Sequence, residues 1–253
     1  MVKLPENITF PAVILFGDSI VDQGNNNNLS TLMKCDFPPY GKDFMGGKPT
    51  GRFSNGKTPA DFLAEELGIK EYVPAYLDPN LQTKDLPTGV SFASGATGYD
   101  PQTPKRLQYD IDAYTDLLVN SASSVIQELY KLGARRIGVF GAPPLGCMPS
   151  QRTLSWGLSR QCLEGHNQAA QLFNEKLSPQ LDYLNKSLAQ SRVVYIDIYS
   201  PLLDIIENPQ KHVEELGIKE LLPAYLDPTL QNQDLTSGVN FASGGAGYDP
   251  LNI

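Results

Sequence analysis

Short apolar runs, each closed by glycine or proline and separated by stretches of helical periodicity, limit what this chain can fold into. Pro11 to Phe16 (PAVILF) ends in Gly17-Asp18-Ser19 and reads as a buried parallel strand followed by a sharp turn. Val90 to Ser94 is a second strand candidate and ends at Gly95. From about Asp112 to Leu132, the residues Leu117, Leu118, Ile126, Leu129 and Leu132 recur near helical spacing, and Gly133 stands where a left-handed C-terminal cap is expected. Arg136 to Gly141 (RIGVFG) is a strand closed by Ala142-Pro143-Pro144, a long helix is expected from about Leu163 to Leu188, and Arg192 to Tyr199 (RVVYIDIY) is a further strand. Strands alternating with helices imply βαβ units and a mostly parallel sheet. At 253 residues the chain has room for one large domain or two small ones.

Charge removes some classes of partner. Twenty basic against 28 acidic side chains give a formal net charge of −8, the wrong sign for a nucleic-acid or anionic membrane surface. No apolar run approaches the roughly 18 residues of a membrane-spanning helix, and Met1 to Phe10 has no hydrophobic stretch resembling a signal peptide. Cys35, Cys147 and Cys162 lack the spacing of a zinc site. They allow one disulfide and one free thiol, Cys147 and Cys162 being the closer pair. Only two histidines, His166 and His212, are available as imidazole bases. Gly24 to Asn28 (GNNNN) and Phe37 to Pro59 read as surface segments governed by turn chemistry. Asn7-Ile8-Thr9, Asn28-Leu29-Ser30 and Asn185-Lys186-Ser187 match the glycosylation sequon, which matters only in a secreted chain.

The chain also repeats itself once. Glu65 to Pro101 and Glu214 to Pro250 align without a gap at an offset of 149, with 27 of 37 positions identical. A single distant pair is a duplicated segment rather than a repeat architecture.

A serine just after a buried parallel strand sits at the carboxyl edge of a sheet, where open α/β folds gather ligands. An isolated Gly-Asp-Ser can equally be a capping turn, so its company decides. FGDSIVDQGNNN at Phe16 to Asn27, GRFSNGKTPADFLAEELG at Gly51 to Gly68, GVSFASGATGYD at Gly89 to Asp100 and GAPPLGCMPSQR at Gly141 to Arg152 follow in order. Together they resemble the plant GDSL-type esterase/lipase family, a branch of the SGNH hydrolases, from about Pro5 to Lys211. The resemblance implies a flavodoxin-like three-layer α/β/α sandwich and hydrolysis of carboxylic esters of lipids or acylated small molecules, with no metal or organic cofactor. It assigns Ser19 as nucleophile, and the N–H groups of Ser19 and Gly95 as oxyanion donors. A serine hydroxyl needs a base to become a nucleophile, and the tetrahedral oxyanion needs pre-placed N–H donors.

Two blocks of the family pattern are absent. A Gly-x-Asn-Asp block after a central strand, whose Asn completes the oxyanion hole, has no counterpart, and Pro101 to Arg106 runs almost directly into the helical stretch at Leu107. The domain of residues 1–211 is therefore read as internally deleted near 106/107, without its central third strand. Residues 212–253, carrying the second copy, replace the family C-terminus, and Gly238 to Ser243 (GVNFAS) is a strand candidate for a sheet edge. The family's Asp-x-x-His is also missing, since Leu163 precedes His166 and Pro209 precedes His212 by three residues. No catalytic His, Asp or oxyanion Asn is thus identified, and an impaired esterase is expected. The alternatives are a non-catalytic acyl- or glycan-binding pseudoenzyme and a non-functional chimeric gene product. The resemblance implies an extracellular location, against the start of the chain, which reads as cytosolic.

Overall fold

The alternation of strands and helices is most complete after residue 109. The computed structural model describes residues 9–44, 46–98, 110–154, 161–209, 211 and 212. Contacts divide the chain into two units, residues 1–101 and 102–253. The expected deletion near 106/107 and the second copy with its strand candidate Gly238 to Ser243 lie outside the described residues.

In the N-terminal unit the two expected strands run parallel. Leu15 N–H donates to Val90 O (3.1 Å), Phe92 N–H to Leu15 O (2.8 Å) and Ser94 N–H to Gly17 O (3.0 Å). Residues 74–76 join on the far side, where Tyr76 N–H donates to Ser91 O and Ser91 N–H to Pro74 O. Helix α1 (Pro59–Glu66) starts at a capping box, Thr58 with Asp61, and has proline in its first turn. It packs Ala60 and Ala64 against Leu15 and Val73. The GNNNN segment departs from the sequence expectation. It is a one-turn 3-10 helix, Asn25–Asn28, and Asn25 and Asn26 are buried rather than on the surface. Their side-chain amides are hydrogen-bonded at both the oxygen and the nitrogen, so burial leaves neither group unpaired. Asn25 Nδ2 donates to Ser91 O and Ala93 O, and Asn25 Oδ1 accepts from Leu77 N–H. Gly24 enters the turn at φ 117°, and a Cβ there would lie 2.5 Å from the Thr50 carbonyl oxygen.

The C-terminal unit opens with α2 (Ile111–Lys131), capped by the Asp110 carboxylate, which accepts the Ala113 N–H at 2.8 Å. Leu132 closes it, and Gly133 turns away at φ 105°, as its sequence position implied. Strand β1 (Arg136–Phe140) is followed by the short α3 (Pro149–Leu154) and the long α4 (Glu164–Ser187). Strand β2 (Arg192–Ile196) pairs parallel with β1, Ile137 opposite Val193 and Val139 opposite Tyr195. The strand expected to reach Tyr199 stops at Ile196 because the Asp197 carboxylate accepts the N–H groups of Tyr199 (2.8 Å) and Ser200 (3.2 Å). This starts α5 (Tyr199–Glu207). Ile137, Val139 and Val193 meet Val119, Ala122 and Ile126 of α2 and Phe173, Leu177, Leu181 and Leu184 of α4 in one aliphatic core. Both helices lie on that face of the sheet, while Phe140 and Val194 on the other are exposed. The described residues of this unit thus form two layers of a mixed α/β fold with a small parallel sheet. Cys147 and Cys162 are disulfide-bonded, their Cα atoms 4.3 Å apart, and Cys35 is the free, buried thiol.

Candidate active site

Ser19 stands in the turn that ends the first extended segment, half-buried. Asp18 holds this turn: its carboxylate accepts the Ile20 N–H at 3.0 Å, and its carbonyl accepts the Val21 N–H at 3.3 Å. The capping role that Gly-Asp-Ser can play therefore falls to Asp18, and the Ser19 hydroxyl has no hydrogen-bond partner among the described residues of its unit. A second turn, Ser94 to Thr97, is fastened to the first. The Gly17 carbonyl accepts the Ser94 N–H at 3.0 Å and the Thr97 hydroxyl at 2.9 Å.

Gly95 lies in this second turn and is buried. Its N–H donates to Asp22 Oδ2 at 2.8 Å, and its carbonyl accepts Asn26 Nδ2 at 3.1 Å. No open space stands beside its α-carbon, since a Cβ there would lie 2.5 Å from Phe53 Cζ and 2.9 Å from Asn26 Nδ2. Ala96, by contrast, is exposed and left-handed, with φ 70°.

Sequence reasoning passed over Asp22, although it lies inside the FGDSIVDQGNNN motif. It is fully buried, and its Oδ1 accepts the N–H groups of Gly24 and Asn25, both at 2.8 Å, while Oδ2 takes Gly95. A buried carboxylate satisfied by three backbone donors ties its own turn, through Gly24 and Asn25, to the turn that carries Gly95. A second buried carboxylate, Asp61, receives Arg52 bidentately, Nε at 2.9 Å and Nη2 at 3.0 Å, along with the N–H groups of Thr58 and Val73. Burial pushes the Asp61 carboxyl up, but Arg52 and the two N–H donors outweigh it and hold it below the ordinary carboxylate range. Arg52 also donates to Val73 O, so one guanidinium joins the loop before α1 to the segment after it.

Both histidines lie in the C-terminal unit. His166 sits in the first turn of α4, its N–H donating to Leu163 O. His212 Nε2 lies 2.8 Å from Asp204 Oδ2 of α5, a pairing over eight residues that a search for Asp-x-x-His does not find. Lys211, His212 and Asn208 together hold the Asp204 carboxyl down to about 2. Among the described residues no three His, Cys, Asp or Glu side chains gather as a metal site, and no helix is long and apolar enough to cross a membrane.

A mixed α/β fold with a serine on the turn that ends a parallel segment, fastened to a neighbouring turn of backbone amides, has the frame of a serine hydrolase. The family profile for GDSL-like Lipase/Acylhydrolase matches residues 13–122 and 106–214, and the chain belongs to this family of ester hydrolases. It is 48% identical to GDSL esterase/lipase EXL3 of Arabidopsis thaliana, an alignment covering 86% of this chain and 76% of that protein. It is 44% identical to GDSL esterase/lipase At5g42170 of the same plant, over 85% of this chain and 73% of that one.

Proposed function

We propose that the chain carries the nucleophile half of a GDSL carboxylic-ester hydrolase acting on lipid or acylated small-molecule esters, in a three-layer α/β/α frame, and that it turns substrate over poorly. In the complete reaction Ser19 Oγ attacks the ester carbonyl, a base takes its proton, the alcohol leaves with a proton, and water then releases the acid. The observation that supports this reading is the Ser19 hydroxyl, which has no hydrogen-bond partner among the described residues, on a turn fastened through Gly17 O to the turn carrying Gly95. Ser19 supplies its own N–H as one oxyanion donor, and the Ser94–Thr97 turn supplies the second.

The poor turnover follows from what the sequence lacks. Without Asp-x-x-His and Gly-x-Asn-Asp, the base and one side-chain donor are missing. Loss of the base of a Ser-His-Asp unit costs about 10⁴- to 10⁶-fold in rate. Hydrolysis of a p-nitrophenyl ester, with Ser19→Ala as control, tests this. Turnover above about 1 s⁻¹ that vanishes in the variant overturns the impairment.

One observation favours the second reading, an acyl- or glycan-binding pseudoenzyme: the Gly95 N–H is already donated to Asp22. Ligand-induced stabilisation without labelling of Ser19 by a fluorophosphonate supports it. The Cys147–Cys162 disulfide favours an oxidising, extracellular setting, which the family resemblance also implies. Microsomal translation behind a heterologous leader, with retention of the disulfide and sequon-dependent glycosylation, tests compatibility with that route.

A further inference from the structure

Beyond any catalytic role, we propose that the outer edge of the first parallel segment, residues 12–16, is a docking edge for a second copy of this chain, which pairs with it antiparallel across a two-fold axis. The backbone bonds of this segment all run one way. Val13 N–H donates to Thr88 O and Leu15 N–H to Val90 O, while the carbonyls of Leu15 and Gly17 accept from Phe92 and Ser94. Successive residues of an extended strand direct their N–H and C=O groups to opposite edges, so those of Ala12, Ile14 and Phe16 face outward. None of these groups has a partner among the described residues.

Proteins ordinarily guard such an edge with charge, proline or a covering element. No guard falls on this one. Phe10 to Gly17 carries no charged side chain, in a chain of net charge −8. Pro11 is in step with Val13 and Leu15, so its missing N–H falls on the inner side and leaves the outer edge whole. The bordering face is apolar as well. Ile14 and Phe16 are 58% and 50% exposed, Phe16 stacks on Phe92 with ring centroids 5.3 Å apart, and Phe92 meets Tyr76 at 4.5 Å. The opposite face, with Leu15, is the one that α1 covers.

The segment is its own complement. A two-fold axis beside Ile14 sets that residue against Ile14 of the second copy, with Ala12 against Phe16 on either side. Ile14 carries both of its backbone groups outward, so the central pair and the flanking pairs each exchange two N–H···O bonds. A small side chain then faces a large one to each side of the axis. Asp18 falls beyond the paired run, opposite Phe10, and no like charges oppose one another. The antiparallel sense is the one in which this edge meets itself symmetrically. It uses up both edges, so assembly closes at two chains.

The test uses the full chain in sedimentation velocity over a wide range of concentration, with a monomer–dimer equilibrium and no larger species expected. Ile14→Lys opposes two like charges at the axis and should weaken dimerisation about tenfold or more. The melting temperature of the dilute monomer should not move, because this side chain is exposed. Ile14→Cys reads the register. A hydrogen-bonded antiparallel pair holds its Cα atoms about 5.5 Å apart, within reach of a disulfide, so oxidation with diamide should give a covalent dimer joined at position 14. Cys35 is buried and Cys147 is bonded to Cys162, which leaves the introduced thiol as the accessible one. Amide exchange at Ala12, Ile14 and Phe16 should slow on dimerisation. A chain that stays monomeric at every concentration, growth of large aggregates, or undiminished dimerisation of Ile14→Lys overturns the proposal. So does failure of the two position-14 thiols to join, or protection gained at Gly238 to Ser243 instead, which would make that strand candidate the partner.

Discussion

The C-terminal unit is held by ten buried aliphatic and aromatic side chains spread over two helices and two strands, whereas eight of the eleven buried polar side chains described belong to the N-terminal unit. In the first case regular elements satisfy their own backbone groups and apolar burial is left to hold them together. In the second the backbone between residues 17 and 98 is largely turns, and Asp22, Asn25, Asn26, Arg52 and Asp61 supply the partners that ladders would otherwise provide. The difference teaches where positional accuracy comes from. Aliphatic packing is forgiving of small shifts in shape. A network of directed bonds to buried charges holds a turn in one geometry or loses it altogether, and the candidate nucleophile sits in the unit built that way.

The sharpest way to break this comparison is Arg52→Met. It leaves the Asp61 carboxylate buried without its cation, and removing one partner of a buried pair costs about 3–5 kcal/mol. Urea titration followed by hydrogen exchange should show amides of residues 9–98 losing protection while those of α4 keep theirs. Equal losses in both units contradict independent construction. The converse change, Leu177→Ala at a fully buried site of α4, is expected to cost about 2–5 kcal/mol by opening a cavity, confined to residues 110–207.

Acid sharpens the contrast more gently. Because the folded Asp61 carboxyl is held below its ordinary value, its contribution is fully present above the unfolded value, near 3.9, and drains away as pH falls through the lower folded one. The N-terminal unit should therefore lose stability as pH falls below about 4, and in Arg52→Met, where the cation that lowers the Asp61 carboxyl is gone, this acid-dependent loss should disappear. Smallest is Ala96→Gly, which relieves a left-handed alanine and should stabilise the N-terminal unit by about 1 kcal/mol. A loss of stability there would mean that the turn does not hold φ 70° in solution.

The same contrast decides what could be read in advance. In the C-terminal unit the periodicity of Leu118, Ile126 and Leu129, which do face the core, and the glycine at 133 act locally, whereas Leu132 at the end of that pattern is exposed. Helix limits there fall within a residue or so of expectation. The Cys147–Cys162 pairing was open in the sequence because spacing alone does not fix connectivity. In the N-terminal unit, hydrophobic patterning carries no record of which carbonyl an asparagine will reach 66 residues away. GNNNN therefore read as surface. Ser19 was legible because motif order marks it, and its turn is where expected. Invisible were the inward direction of the Gly95 N–H, which depends on a carboxylate 73 residues distant, and the partner of His212, which depends on where α5 ends.

The asparagine turn also sets a clock on the molecule. Asn25 and Asn26 act as donors toward the carbonyls of Ser91, Ala93, Met33 and Gly95. Deamidation is a slow hydrolysis that asparagine undergoes on heating and storage, and it would replace each Nδ2 with an anionic oxygen facing those lone pairs. A chain aged in this way keeps its length, its disulfide and its aliphatic core while losing the alignment of its nucleophile turn.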